Sequence, residues 1–154
     1  MSTTEQLEMG AQCSGTKEKK SDPFAEELVE RKLMRSGRIS HAIVINAINC
    51  DVRANQPITF KPLRSTRESL VKLIKGDRDA LNPDGIDLGT GSLYMPGKLQ
   101  ENRALFATDG RTGGFTAFLV KGIVILGVYD HDVAAAVRLV TEVADYVDEL
   151  EETH

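Results

Sequence analysis

The stretch that most constrains the fold is GGFTAFLVKGIVILGVYD, residues 113–130, the most apolar part of the chain. Lys121 and Gly122 interrupt it, so no apolar run approaches the roughly 18 residues that a membrane-spanning helix needs. β-Branched and aromatic residues fill both halves, and two such runs joined by a two-residue, Gly-containing connection predict a β-hairpin. Because the hydrophobic character is nearly continuous, we expect both faces of this hairpin to be covered, as in the middle of a sheet between two layers.

Length and composition limit the class of protein. A chain of 154 residues predicts one domain that needs no disulfide to be stable. The formal net charge of −4 argues against nucleic acid as a partner. Cys13 and Cys50 form no disulfide framework, and neither has a second Cys or His at metal-ligand spacing. We therefore predict no metal site and no cofactor, and we expect a reducing cytoplasm as the location.

The first residues and the first helix differ sharply in character. Residues 1–21 are polar and lack a hydrophobic period, which predicts a disordered N-terminal extension ahead of a domain over residues 22–154. Asp22 and Pro23 are then typical of a helix start, and apolar residues at helical spacing follow until Gly37.

Two further helices are predicted. The segment STRESLVKLIKG has a capping-box pattern at Ser65 and Glu68. A long helix begins near Asp132 and carries two apolar stripes, one through Val133 and Val137 and a neighbouring one. Two stripes indicate contact with both a sheet and a second neighbouring element.

Strand patterns occupy the rest of the chain. HAIVINAINCDVRANQ predicts two short strands joined by a turn. Four more are expected around Ser92–Met95, Leu105–Thr108, Phe115–Val120 and Ile123–Tyr129. Helices and strands do not alternate regularly, so the order predicts an antiparallel α+β domain with helices covering the sheet.

No pattern of catalytic residues stands out, and we predict that the protein is not an enzyme. His41 and His131 fall at the edges of predicted elements, and no nucleophile elbow occurs. The Gly-rich strings GTGS and GRTGG lack the spacing of a phosphate-binding loop. The basic segment Lys61–Lys75 has two interpretations: a solvated helix face, or a docking patch for an acidic partner or phosphoinositide headgroups.

Several local strings, in order, resemble the profilin family. ILGVYDHD followed by VRLVTEVADYVDEL is similar to the last strand and C-terminal helix of that family. DGIDLGTGSLYM and ALFATDGRTGGFTAFLVKG resemble its central strands. SDPFAEELVERKL followed by HAIVINAINCDVRAN resembles its N-terminal helix and first two strands. The resemblance covers residues from about 21 to 152, and the divergence suggests a lineage far from animal and plant profilins.

This resemblance implies a fold and a function. The fold is α+β, with an antiparallel sheet of six or seven strands, the N- and C-terminal helices side by side on one face and a shorter helix on the other. The implied function is a monomeric, cytoplasmic, cytoskeletal regulator that binds monomeric actin and modulates its polymerisation, with proline-rich proteins and phosphoinositides as further partners.

The resemblance also nominates residues for two surfaces. The polyproline-binding candidates are Phe24, Leu28, Arg53, Tyr146 and Leu150. Arg53 stands where the family has a strand Trp, so we expect proline-rich segments to bind weakly; the alternative is that Phe24 and Tyr146 only pack helix against helix. The actin-binding candidates are Tyr94, Met95, Arg111, Phe118, Tyr129, His131 and Arg138. Phe118 and Tyr129 are alternatively core residues, and for Phe118 we favour the core.

Two points stay open at the level of sequence. Ala107, Asp109 and Gly110 stand where many profilins are basic, which weakens the expectation of phosphoinositide binding and of tight association with a eukaryotic actin. A roadblock- or longin-like interaction module that serves small GTPases is the alternative function, because it shares a plan of one sheet with helices. Such modules tend to be dimers, whereas profilins are generally monomers.

Overall fold

The apolar hairpin lies at the centre of a seven-stranded sheet in the computed structural model, which describes residues 22–150. The strands are β1 His41–Asn46, β2 Val52–Gln56, β3 Ile86–Asp87, β4 Leu93–Gln100, β5 Ala104–Thr108, β6 Gly114–Val120 and β7 Ile123–Tyr129. The helices are α1 Pro23–Glu27, α2 Arg64–Ile74 and α3 Val133–Leu150. The strand order is β2-β1-β7-β6-β5-β4-β3, and each neighbouring pair is antiparallel.

The β6–β7 hairpin confirms the prediction from sequence. Val120 pairs with Ile123, and the two residues between them have positive φ, 50° at Lys121 and 81° at Gly122. Positive φ at both central residues is the geometry of the two-residue turn that matches the natural twist of a hairpin. All seven residues of β7 are buried, because β7 lies between β1 and β6 with side chains in both cores.

The N-terminal helix begins and ends where the sequence predicts, but it is not regular. The Asp22 carboxylate accepts a hydrogen bond of 3.1 Å from the Ala25 N–H, and Pro23 opens α1. The chain then continues as a π-helix over Leu28–Leu33 and a 3₁₀ turn over Met34–Ser36. Gly37, with φ of 77°, ends it. The predicted extension over residues 1–21 lies outside the described residues and stays a prediction.

The two helical layers divide the core into two clusters. Leu28 and Leu33 from the N-terminal helix pack with Val140 and Val147 of α3 on one face of the sheet. Helix α2 packs its own apolar side against the other face, around Phe115. The N- and C-terminal helices are therefore neighbours on one face, as the resemblance implied.

Two details differ from the sequence analysis. The predicted stripe of α3 is buried at Val140, Ala144 and Val147, but Val133 in the first turn is 48% exposed and Ala136 is fully buried instead. The capping box is also wrong: α2 is preceded by Leu63, which makes no side-chain cap, and Ser65 is already inside the helix. Among residues 22–150, no helix is both long and apolar enough to cross a membrane.

Candidate functional site

Several of the predicted actin-binding residues lie at one end of the sheet. Met95 pairs with Thr108, Thr108 with Gly114, and Gly114 with Tyr129, so these residues form a row across β4, β5, β6 and β7. The β5–β6 turn carries Arg111 at the same end, and His131 follows β7 directly. Arg138 lies about one and a half turns into α3. We call Met95, Arg111, His131 and Arg138, all exposed, the strand-end surface.

The outer strands leave apolar side chains uncovered beside this surface. Helix α3 packs on β6 and β7, and β4 lies two strands away from β6. Leu93 is 53% exposed and Met95 46% exposed, and both point away from the core that holds the intervening Tyr94. Val133 is similarly exposed at the start of α3. The sequence analysis missed Leu93, although it lies two residues before Met95 and so shares its face.

The predicted exposure of Tyr94 is wrong. Its side chain is 3% exposed and packs edge-on against Phe115 with ring centroids 5.5 Å apart. Its hydroxyl lies 2.7 Å from the Thr90 hydroxyl, within the α2-side core. Tyr94 therefore supports β4 from beneath and offers no surface to a partner.

Phe118 is also a core residue. It is 3% exposed, packs edge-to-face on Phe106 at 5.9 Å, and lies under the Arg103 guanidinium at 5.4 Å. In the register it pairs with Ala104 and Ile125, far along β6 from Gly114. It cannot take part in the strand-end surface as a contact residue.

Tyr129 is buried but lies against the surface. It is 5% exposed, and a Cβ placed on Gly114 would lie 2.7 Å from the Tyr129 hydroxyl, so the ring packs directly over that glycine. Burial raises the pKa of the Tyr129 hydroxyl, and the nearby Asp109 carboxylate raises it further. Tyr129 is therefore a neutral hydrogen-bonding group near physiological pH.

The turn that carries Arg111 is held by hydrogen bonds. Asp109 accepts from the N–H groups of Arg111 at 2.7 Å and Gly113 at 3.2 Å. The Thr112 hydroxyl donates to the Asp130 carbonyl at 2.7 Å, which ties the turn to the end of β7. The position of the Arg111 backbone is therefore fixed, while its side chain is exposed.

The predicted polyproline-binding residues lie on the N-terminal helix, on β2 and in the second half of α3. Phe24 is 40% exposed and Tyr146 37% exposed, and their helices are neighbours. We call Phe24, Arg53 and Tyr146 the helix-pair surface. Leu150, half-buried, ends α3 nearby along the chain. Leu28 is 1% exposed, so its nomination as a contact residue is wrong: it faces the helix-side core.

Charged groups of the chain itself already occupy the helix-pair surface. The Lys32 ammonium lies 4.0 Å from the centre of the Tyr146 ring, which is cation–π geometry. Arg53 is the extra residue at a bulge in β2, and its Nε donates to the Asp22 carboxylate at 2.6 Å. No sequence pattern pointed to Lys32.

No three potential metal ligands among His, Cys, Asp and Glu cluster within residues 22–150. Both surfaces are instead made of exposed apolar, aromatic and cationic side chains on a rigid framework. These residue types are enriched where proteins contact other proteins.

Comparison with known proteins identifies the family. The profile described as Profilin matches residues 25–154. The chain belongs to the profilin family. Profilins are binding proteins of the actin cytoskeleton, and membership supports an actin-binding regulator in general terms. No curated protein sequence gives a significant match.

Solved profilin structures share the fold at low sequence identity. Profilin IA of Acanthamoeba castellanii is 19% identical, with a TM-score of 0.72 over 82% of this chain and 98% of that one. Profilin IB of the same organism gives 19% and 0.73 over the same shares. Schizosaccharomyces pombe profilin gives 17% and 0.72, again over 82% of this chain and 98% of that one. These likenesses confirm the expected α+β profilin fold.

Proposed function

We propose that this profilin binds monomeric actin through the strand-end surface and so regulates filament assembly, in the cytoplasm and as a monomer. The observation that carries the proposal is the exposure of Leu93 and Met95 on β4, of Val133 at the start of α3, and of the cation Arg138 in α3. Within residues 22–150 no acidic side chain pairs with Arg138. Apolar centres with a flanking unpaired cation are typical of specific protein interfaces.

Calorimetry against actin from the same organism tests this proposal. Met95→Ala and Arg138→Glu should each weaken binding about tenfold or more, because a central interface residue contributes about 1.4 kcal/mol or more. Arg35→Glu, which changes an exposed cation at the end of the N-terminal helix, is the matched control and should bind normally. Unchanged affinity in both test variants would move the actin site elsewhere on the molecule.

Proline-rich segments are a second proposed partner, for the helix-pair surface. Exposed Phe24 and Tyr146 on neighbouring helices favour it, because polyproline helices dock on aromatic side chains. Lys32 and Asp22 already engage Tyr146 and Arg53, so binding should be weak. A titration with decaproline followed by NMR tests this: shifts confined to the amides around Phe24 and Tyr146 support it, and a flat titration at millimolar peptide refutes it.

The remaining partner predictions stand on family membership alone. Phosphoinositide binding stays a prediction, because the β5–β6 turn has Asp109 beside Arg111. Membership in the profilin family favours the actin regulator over a module for small GTPases. Light scattering of the purified protein separates them further, since the GTPase module predicts a dimer.

A further inference from the structure

A polar pocket of about 400 Å³ lies along the edge strand β2 and is lined by no residue of either surface described above. Val52 and Asn55 line it from the strand, Asp51 from the turn just before it, and Lys61, Arg64 and Arg67 from the next loop and from α2. Val52 and Asn55 pair with Ile45 and Ile43, which belong to the α2-side core, so the pocket lies on the α2 side of β2. The helix-pair surface is on the opposite face. We call this site the β2-edge pocket.

The β2-edge pocket carries excess positive charge. Three cations and one carboxylate, Asp51, line it, and Arg64 forms ion pairs with Asp51 and, at 3.8 Å, with Glu68 outside the lining. Arg67 is 6% exposed and donates to the carbonyls of Cys50 at 2.7 Å and Pro62 at 2.6 Å, but no carboxylate among residues 22–150 forms an ion pair with it. Burial lowers the pKa of Arg67, and the nearby Arg64 lowers it further. The Asp51 and Glu68 carboxylates act on Arg67 without contacting it and raise its pKa, so its counter-charge is only partial. An anion bound in the pocket would add to that counter-charge.

The three most exposed large apolar side chains among residues 22–150 lie on the two loops that supply lining residues to this pocket. Ile48 is 86% exposed, Ile58 81% and Leu63 73%, and no other large hydrophobic residue among residues 22–150 is as exposed. Ile58 lines the pocket, and Leu63 precedes Arg64. Ile48 precedes Asn49, whose carbonyl accepts a hydrogen bond of 2.8 Å from Arg64. Ile48 lies in the β1–β2 turn, and Ile58 and Leu63 lie in the loop between β2 and α2; the Arg64 guanidinium ties the first of these loops to the start of α2. Exposed apolar groups around a polar centre mark interaction sites.

Hydrogen bonds fix these loops. Asn46 accepts from the N–H groups of Ile48 at 2.7 Å and Asn49 at 3.1 Å. The Asn55 amide donates to the carbonyls of Ile58 at 3.2 Å and Phe60 at 2.6 Å. The aliphatic side chains are therefore presented to solvent on an ordered backbone. A preorganised surface of this kind loses little conformational entropy when a partner binds.

We propose that the β2-edge pocket binds an acidic segment of a partner protein, with its carboxylates on Lys61 and Arg67 and its aliphatic side chains on Ile48, Ile58 and Leu63. Charge selects an acidic ligand, and the apolar rim selects a ligand that also carries hydrocarbon. The concave shape suits a chain segment better than a flat bilayer, and the net charge of −4 on the whole protein opposes approach to an anionic membrane.

This third surface is compatible with actin binding. In the strand order, β2 and β4 are five positions apart, which is about 24 Å across the strands. A segment on the β2-edge pocket therefore leaves Met95 and the strand-end surface free. The domain would then bind the acidic partner and actin at the same time, at separate sites.

NMR titration of the full chain tests the proposal with a short peptide that contains aspartate, glutamate, leucine and isoleucine. We expect shifts at Ile48, Ile58, Leu63 and Arg64. One control peptide has lysine in place of each acid, and the other has serine in place of each aliphatic residue; both should bind at least tenfold more weakly. Lys61→Glu and Ile58→Ser should each reduce affinity about fivefold or more, whereas Lys98→Glu and Leu81→Ser, exposed cationic and apolar residues elsewhere, should not.

Each alternative outcome is decisive. Equal binding of all three peptides, or shifts away from the pocket, would overturn the proposal. Inorganic phosphate and phosphatidylserine vesicles are titrated in parallel: shifts at the pocket with either one, and none with the acidic peptide, would assign the site to phosphate or to a membrane instead. Because Lys61 and Ile58 are exposed, their variants should remain folded, and a thermal unfolding curve checks this.

Discussion

The strand-end surface and the helix-pair surface contain similar residue types, but their key side chains are paired within the chain on the helix-pair surface and exposed without such pairing on the strand-end surface. On the helix-pair surface, Lys32 lies over Tyr146 and Asp22 holds Arg53, so the chain itself occupies the groups that a ligand would need. On the strand-end surface, Met95 is exposed and Arg138 has no acidic partner within residues 22–150. A partner of the helix-pair surface must displace contacts within the chain, whereas a partner of the strand-end surface forms new contacts without breaking existing ones. We therefore expect actin to be the tighter ligand.

The strongest test of the strand-end surface is Gly114→Ala. An added Cβ would lie 2.2 Å from the Ala107 carbonyl oxygen and 2.7 Å from the Tyr129 hydroxyl, and neither backbone nor buried ring has room to move. We expect a loss of about 2–4 kcal/mol in the free energy of unfolding, measured with urea. Gly97→Ala is the control, because its nearest neighbour is 3.8 Å away. Equal stability of the two variants would contradict the close packing of this row.

A smaller effect is expected from Asp22→Ala on the helix-pair side. The variant loses the helix cap on the Ala25 N–H and the ion pair with Arg53. We expect a loss of about 1 kcal/mol in the free energy of unfolding, typical of an N-cap. Glu26→Ala, an exposed acid in the same helix, should have less effect. If both variants unfold at the same urea concentration, Asp22 does not hold the two elements together.

Lys32→Ala tests the competition on the helix-pair surface directly. Removing the ammonium from the Tyr146 ring costs a cation–π contact of about 0.5–1 kcal/mol, so freeing the ring should strengthen decaproline binding about two- to fivefold. The measurement is the NMR titration described above. Arg31→Ala, at the neighbouring exposed position, should leave the affinity unchanged. Weaker binding of Lys32→Ala would mean that Lys32 assists the ligand and that the two surfaces do not differ in this respect.

The smallest expected effect is a pH dependence centred on His41. Burial lowers the pKa of this imidazole from its ordinary 6.5, and Asp130 opposes the shift. The unfolded chain then takes up the proton at a higher pH than the folded one, so stability is full above about pH 6.5 and falls as the pH drops below it. Urea unfolding from about pH 8 to about pH 5 should show this decline, and His41→Gln should reduce it. His131→Gln, at an exposed site, should not.

Several elements were predictable because their signals are local. The β6–β7 hairpin follows from two β-rich runs around Lys121 and Gly122, which adopt the positive φ that the turn requires. Asp22, Pro23 and Gly37 set the ends of the N-terminal helix for equally local reasons. The capping box at Ser65 failed because α2 already begins at Arg64: the Arg67 N–H donates to the Leu63 carbonyl at 3.0 Å, which leaves Ser65 inside the first turn.

The candidate sites were predictable only in part. Met95, Arg111 and His131 meet at one end of the sheet because consecutive antiparallel strands bring their ends together. The exposure of Tyr94 and Leu28 was predicted wrongly, because the order of residue types along a strand or helix does not show which of its faces other elements cover. The Lys32–Tyr146 contact joins residues distant in sequence, and no pattern within one segment encodes it.

The sequence by itself determined most of the helices and strands, the central hairpin and the family, since these depend on local propensity and on strings in a fixed order. The tertiary structure alone decided which aromatic residues are buried, which charges are paired and which large apolar side chains, such as Ile48, Ile58 and Leu63, are exposed. The physical reason is that burial and ion pairing depend on what packs across the sheet, and those neighbours come from distant parts of the chain.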